Sequence, residues 1–249
     1  MTTAVIIPAR YESTRFPGKP LALINGKPMI EWVVNAAKGA KLPNKIIVAT
    51  EDKRIFDFVK NSLGVEAVMT SKDHKCGTDR ICEVVKNHPD IKYIVNLQGD
   101  EPLIPSSYID KVLQPLLNKS TSMASLVTPL TDSKDLINPN IVKVVFDKDR
   151  YALYFSRSQI PHKRENEREN IKDIPYYRHL GIYSYTREMV LQFNILPQSP
   201  LEIAEQLEQL RMLENGIKIK LEVVPKAYPA VDTPEDIKLV ESILSLKRV

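Results

Sequence analysis

Short apolar runs rich in β-branched residues alternate with amphipathic stretches through the first half of this chain, and nothing else in the sequence narrows its fold so far. Ala4-Val5-Ile6-Ile7 comes first. Ile46-Ile47-Val48-Ala49-Thr50 follows the amphipathic stretch 29–38, Ala67-Val68-Met69-Thr70 follows 54–63, and Tyr93-Ile94-Val95-Asn96-Leu97 follows 79–87. Runs this short suit buried strands better than helices. Their alternation with helical stretches predicts βαβ units, a mainly parallel sheet and right-handed crossovers that cover both faces with helices.

The pattern changes after about residue 118. The stretch 123–130 reads as another strand, and 142–146 and 152–155 read as a hairpin joined by Asp147-Lys148-Asp149-Arg150. The highly charged 162–173 predicts a surface loop. The stretch 177–185 is strand-like, and 201–215 predicts one helix with Ser199 as N-cap, Pro200 in the first position and Gly216 as its stop. A late strand is expected at 218–224, and Thr233-Pro234-Glu235-Asp236 has the pattern of an N-cap and acidic first turn opening a last helix to about 246. No linker long enough to divide the chain is present, so 1–249 reads as one domain.

Four groups of residues carry chemistry. In open α/β sheets ligands bind beyond the carboxyl ends of the strands. The loop after the first run holds Arg10, Ser13, Arg15 and Lys19 there, with Pro17 and Pro20 stiffening it. Three cations and a hydroxyl suit a triphosphate. The loop has neither the Gly-x-x-x-x-Gly-Lys-Ser/Thr nor the Gly-x-Gly-x-x-Gly pattern, so phosphate is held mainly by side chains. The second group, Gln98-Gly99-Asp100-Glu101-Pro102, follows the run ending at Leu97. Asp100 there is placed either to hold Mg²⁺ shared with substrate phosphates or to cap the following helix. The third is Val231-Asp232-Thr233-Pro234. With Thr233 filling the cap, Asp232 is free to share a metal with Asp100. The fourth combines Tyr154-Phe155-Ser156-Arg157, Arg178-His179-Leu180-Gly181-Ile182-Tyr183 and Glu208-Gln209-Leu210-Arg211. Structural salt bridges or a substrate rich in carboxylate and hydroxyl groups would each explain it.

Composition excludes several other classes. The net charge of +4 is spread among acids and forms no nucleic-acid stripe, but it suits a small anion. Cys76 and Cys82 are too few for a disulfide framework and lack zinc spacing. No apolar stretch approaches the roughly 20 residues of a membrane span, and the chain enters a strand without a targeting segment. A cytoplasmic enzyme is expected.

The ordered set of motifs resembles the 3-deoxy-manno-octulosonate (Kdo) cytidylyltransferase family. It runs through Ile6-Ile7-Pro8-Ala9-Arg10, Arg15-Phe16-Pro17-Gly18-Lys19-Pro20, Gly77-Thr78-Asp79-Arg80, Asn96-Leu97-Gln98-Gly99-Asp100-Glu101-Pro102, Tyr151-Ala152-Leu153-Tyr154-Phe155-Ser156-Arg157, His179-Leu180-Gly181-Ile182-Tyr183, Leu207-Glu208-Gln209-Leu210-Arg211 and Val231-Asp232-Thr233-Pro234-Glu235-Asp236. The resemblance implies an α/β nucleotidyltransferase fold, Rossmann-like, with a nucleotide-binding part (about 1–120), a sugar-binding and dimerisation lobe (about 121–225) and a returning segment (about 226–249). It implies CMP transfer from CTP to Kdo with release of pyrophosphate, for lipopolysaccharide synthesis, by a homodimer.

By the same resemblance, Arg10, Ser13, Arg15 and Lys19 hold the triphosphate, and Ala9, Arg80 and Gln98 frame cytosine and ribose. Asp100 and Asp232 bind Mg²⁺, with Lys19 also catalytic. Arg157, Arg164, His179, Tyr183, Glu208 and Gln209 line the sugar pocket. Two positions depart from the family's pattern: Asp79 stands where Glu is usual, and Cys76 where a small hydroxyl residue is usual. The rival readings are a cytidylyltransferase for sialic acid or for an amino variant of Kdo, a glycosyltransferase of the same fold, and a nucleotide-sensing protein without turnover.

Overall fold

The computed structural model describes residues 2–12, 15–74, 76–163 and 176–246. Its strands are β1 (Thr2–Pro8), β2 (Leu23–Ile24), β3 (Lys27–Pro28), β4 (Lys45–Thr50), β5 (Glu66–Met69), β6 (Ile91–Asn96), β7 (Met123–Pro129), β8 (Lys143–Phe146), β9 (Ala152–Ser156), β10 (Tyr177–Thr186) and β11 (Lys220–Val223). The helices are α1 (Met29–Gly39), α2 (Lys53–Phe58), α3 (Gly77–Asn87), α4 (Ser106–Leu117), α5 (Ser133–Ile137), α6 (Arg187–Ile195), α7 (Pro200–Glu205), α8 (Gln209–Glu214) and α9 (Asp236–Leu246).

The main sheet runs β11-β7-β10-β6-β1-β4-β5, with the β8–β9 hairpin attached beside β10 and β2–β3 forming a separate ribbon. Pairs β1–β4, β1–β6, β4–β5 and β7–β11 are parallel. This is the mostly parallel, helix-flanked α/β sheet that the alternating pattern implies. The exception is β10, which enters antiparallel between β6 and β7. β1 shows why the strands read as unbroken apolar runs. Ala4 and Ile6 face one layer with Ile47, Ala49 and Ile81. Val5 and Ile7 face the other with Ile30, Val34 and Val48. A strand covered on both sides has no polar face to alternate with.

Two local expectations are corrected. The helix expected over 201–215 is two short helices. Gln206 adopts a left-handed conformation (φ 53°) after α7, and Leu207 and Glu208 turn the chain before α8 begins at Gln209. The start at Ser199 and Pro200 is as read, and the Glu202 carboxylate accepts the Ser199 N–H (3.2 Å). The last helix begins at Asp236, two residues beyond Pro234. The Asp236 carboxylate accepts the N–H groups of Asp232 and Thr233 and the Thr233 hydroxyl, so it ties the turn that Thr233 was expected to cap. Most of the charged stretch 162–173 lies outside the described residues.

Candidate active site

Two cavities open along the carboxyl ends of β1 and β6. The first, about 390 Å³, is lined by Pro8, Ala9, Arg10, Glu12, Arg15, Lys19, Pro20, Gly77, Gln98, Gly99 and Asp100. The second, about 270 Å³, is lined by residues of α3, β6, β10 and the α7–α8 turn, among them Thr78, Asn96, His179, Tyr183, Tyr185, Glu208 and Gln209. Gly77 and Gln98 border both, so the cavities adjoin.

The first cavity is cationic by construction. β1 ends at Pro8, and Ala9 is pinned by its N–H to the Ala49 carbonyl (2.9 Å). Arg10 donates to the His74 carbonyl. Gly99 lets the turn after β6 pass close by: a Cβ there would lie 3.0 Å from the Pro8 carbonyl oxygen. Lys19 Nζ donates to Asp100 Oδ2 (2.6 Å) and to the Val231 carbonyl (3.0 Å). The Val231 N–H in turn donates to the Asp100 carbonyl (2.9 Å), so the segment carrying Asp232 is laid against Asp100. Asp232 itself pairs with Arg15 (3.0 Å) at the exposed rim. The backbone contact at Val231 thus brings two acids 132 positions apart to one cationic loop, Asp100 on Lys19 and Asp232 on Arg15. Among the described residues no group of three or more His, Cys, Asp and Glu side chains is gathered for a metal. Two hard carboxylates beside a cluster of Arg and Lys side chains fit Mg²⁺, which takes few protein oxygens and completes its shell with water and anionic ligands.

The second cavity offers hydrogen-bonding groups with nothing yet to bond. Tyr183 Oη and Gln209 Nε2 are buried at its wall without partners. Such orphaned donors cost stability unless a ligand supplies acceptors. Glu208 accepts from Thr78 Oγ1 (3.1 Å). Burial raises its carboxyl above the usual range, against the opposing hydrogen bonds from Thr78 and Cys76. Burial, and then the Glu208 charge, pushes the Cys76 thiol up to about 12, so the thiol stays protonated and inert. Cys76 caps α3, where its Sγ accepts the Asp79 N–H (3.4 Å).

His179 shows which of its nitrogens is free. Ser125 Oγ lies 2.9 Å from the Ile182 carbonyl and 3.1 Å from that of Leu180, and these groups only accept. The single hydroxyl proton goes to a carbonyl, so His179 Nε2, 3.0 Å from Oγ, must donate. Burial first, and then Arg178, lowers the imidazole to about 3. A neutral ring protonated on Nε2 leaves Nδ1 as an acceptor, suited to a hydroxyl rather than a carboxylate. The unfolded chain binds a proton here near 6.5 that the folded chain refuses until about 3. Stability from His179 is therefore complete above 6.5 and lost as pH falls towards 3. Urea midpoints measured from pH 7 to pH 4 should fall less steeply in His179→Gln than in the native chain.

The family model for cytidylyltransferases matches residues 4–219. The 3-deoxy-manno-octulosonate cytidylyltransferase of Thermodesulfovibrio yellowstonii is 47% identical, covering 98% of this chain and 99% of the relative. The chain belongs to the 3-deoxy-manno-octulosonate cytidylyltransferase family. An 8-amino-3,8-dideoxy-manno-octulosonate cytidylyltransferase from Shewanella amazonensis is also 47% identical, covering 99% of this chain and all of the relative. A solved CMP:2-keto-3-deoxy-manno-octonic acid synthetase complexed with CTP superposes with a TM-score of 0.92 at 38% identity, over 99% of this chain and all of that one. The enzyme is therefore a nucleotidyltransferase.

Within this cytidylyltransferase the expected site residues divide into groups. Ala9, Arg10, Arg15, Lys19, Gln98 and Asp100 gather at the first cavity, with Asp232 paired at its rim. His179, Tyr183, Glu208 and Gln209 gather at the second. Ser13 and Arg164 lie outside the described residues.

Arg80 and Arg157 line neither cavity. Arg80, expected near cytosine and ribose, is 1% exposed on Glu51 (2.8 Å) and Thr70, because α3 turns that face onto the sheet. Arg157, expected at the sugar, donates to the carbonyls of Glu205 (2.7 Å), Pro139 (3.0 Å) and Gln206 (3.4 Å), tying down the α7–α8 turn. Arg211 is a structural ion-pair partner of Glu202.

Asn96, Thr78 and Tyr185 also line the second cavity, beyond the expected site residues. One signal existed: Asn96 is the sole polar residue in the run Ile94-Val95-Asn96-Leu97, where a buried amide needs a reason.

Arg157→Ala should raise the KM for the sugar several-fold more than that for CTP, because it frees the turn carrying Glu208 and Gln209. Steady-state kinetics with each substrate varied in turn checks this, and equal effects would contradict it.

Proposed function

We propose that the enzyme transfers CMP from CTP to 3-deoxy-D-manno-octulosonate, releasing pyrophosphate and activating the sugar for lipopolysaccharide synthesis. The observation that carries this reading is the pair of adjoining cavities, one cationic and one lined by orphaned hydroxyl and amide donors, meeting at Gln98 beside Asp100 and Asp232. Arg10, Arg15 and Lys19 hold the triphosphate and neutralise the departing pyrophosphate. Asp100 and Asp232 hold Mg²⁺. When bound, Mg²⁺ supplies Lewis-acid charge that eases ionisation of the sugar hydroxyl and screens the meeting of two anions. Tyr183 and Gln209 donate to the sugar's oxygens, and neutral His179 accepts from one of its hydroxyls.

No side chain is required as a dedicated base in this scheme. A CTP-consuming reaction of this kind belongs in the cytoplasm. The exposed apolar side chains of the second half, Leu153, Leu201 and Ile203, support homodimerisation there.

Incubation with CTP, Mg²⁺ and either Kdo, 8-amino-Kdo or sialic acid, monitored as pyrophosphate release, tests the reading. The expected order of kcat/KM places Kdo first. Preference for the amino sugar would move the assignment to the activity named for the Shewanella relative. A glycosyltransferase would release no pyrophosphate from CTP, and would release nucleoside diphosphate only when given a nucleoside-diphosphate sugar as donor.

A further inference from the structure

The loop from Ala9 to Lys19 bears the cations of the first cavity, and its fixed point is Tyr11. The Tyr11 N–H donates to Glu51 Oε1 (2.8 Å), and its carbonyl accepts the Gly18 N–H (2.8 Å). Gly18 sits at φ 71° against the Tyr11 ring, where a Cβ would come within 3.1 Å. The Arg54 guanidinium lies 3.4 Å from the centroid of the same ring. Glu51, just past the end of β4, is 8% exposed, and its Oε2 is 2.8 Å from Arg80 NH2. Arg80 also reaches Thr70, beyond the end of β5. One buried ion pair therefore links α3 and the ends of β4 and β5 to the backbone of the loop.

Burying two charges gains little net stability, and apolar residues of similar size usually serve packing as well or better. What the pair provides is a rigid acceptor at a defined place. A site that stabilises developing charge needs its donors fixed before substrate arrives. We propose that Glu51 and Arg80 are positioning residues, a buried ion pair that sets the phosphate loop through the Tyr11 N–H, and that Arg80 does not read the base. The proposal rests on the reading that this loop holds the CTP phosphates.

The test compares Glu51→Gln, Arg80→Met and the apolar double variant Glu51→Leu/Arg80→Met with the native enzyme. Folding is checked by circular dichroism and melting. CTP affinity, both KM values and the CTP-to-UTP ratio of kcat/KM are then measured. Each single variant should raise the KM for CTP about tenfold or more, a scale set by the sensitivity of oriented groups to small displacements. The sugar KM and the CTP-to-UTP ratio should stay within about twofold, and the double variant should be no worse than the poorer single one, since both residues serve one device.

Should a single variant not fold, the double variant, which leaves no unpaired buried charge, decides alone. A folded double variant with native KM for CTP would overturn the proposal. So would a shift of tenfold or more in the CTP-to-UTP ratio on changing Arg80, which would make Arg80 a base reader. A native enzyme that binds cytidine as tightly as CTP would instead defeat the phosphate-loop reading itself.

Discussion

Alanine at Asp100 or at Asp232 is expected to lower turnover by about a hundredfold or more, the scale of losing one preorganised electrostatic group in a transition state. The two acids stand 132 positions apart in the chain, and their segments are joined by the Val231 N–H on the Asp100 carbonyl and by Lys19, which donates to both segments. Because each acid is expected to supply one oxygen to the same ion, the double variant should be little slower than either single one. Pyrophosphate release at saturating CTP, sugar and Mg²⁺ is the measurement. Raising Mg²⁺ should recover part of the rate in Asp232→Asn, which keeps an oxygen, and none in Asp232→Ala. Native turnover in either alanine variant would falsify the assignment of these acids to the metal.

Arg211→Met is expected to cost about 3–5 kcal/mol of folding stability, the usual penalty for stranding one member of a buried ion pair. Arg211 donates to both Glu202 oxygens (2.5 and 2.7 Å) and to the carbonyls of Phe193 and Leu196, and its guanidinium lies 4.3 Å from the centroid of the Phe193 ring. Glu202 is 3% exposed and also accepts the Ser199 N–H, so losing Arg211 leaves its charge with a single backbone donor and a weak contact from Gln198. Burial pushes the Glu202 carboxyl up, but Arg211, the Ser199 N–H and Gln198 together outweigh it and the net shift is downward. This contribution is therefore present above the ordinary glutamate range near 4.5 and lost as pH falls through the depressed folded value. Urea denaturation at pH 7 checks the size. Glu202→Leu combined with Arg211→Met should recover most of the loss, and a single-variant cost below about 1 kcal/mol would mean that the pair is not coupled to folding.

The parallel half of the sheet, its helices and the cationic loop were all legible in the residues, because each signal is local. A doubly covered strand must be apolar at successive positions, and a helix start needs its cap within a few residues. What was hidden depends on distant partners. Nothing in 177–185 tells a parallel from an antiparallel strand, since β10 is flanked by β6 and β7 and its direction follows from the chain's route. The break at Gln206 carries no Gly or Pro signal, and Leu207, Leu210 and Leu213 continue a helical stripe across it. The break is maintained from outside. Glu205 accepts the Ser156 hydroxyl (2.6 Å) and the Arg157 N–H (2.9 Å), and Arg157 holds the carbonyls of residues 205 and 206.

Arg80 misled for a related reason. Its neighbour Thr78 does line a cavity, but two residues along a helix turn a side chain by about 200°, towards the opposite surface. The expected association of Asp100 with Asp232 could be stated from sequence only as a pairing of an acid after a strand with an acid before a helix. The backbone hydrogen bond at Val231 gives that pairing its physical cause.

β10 acts as a ruler between the two cavities. It carries His179 and Tyr183 to the second, and Tyr183 stands opposite Asn96 in the ladder to β6, two residues before Gln98, which borders both. The spacing between the two cavities is thus graduated in strand repeats rather than set by a hinge. Thermal breathing that preserves the ladder cannot change it. A change in what the second cavity accepts falls most easily on the part off the ruler, the turn at Gln206 that leads to Glu208 and Gln209, where it leaves the register of the ladder intact.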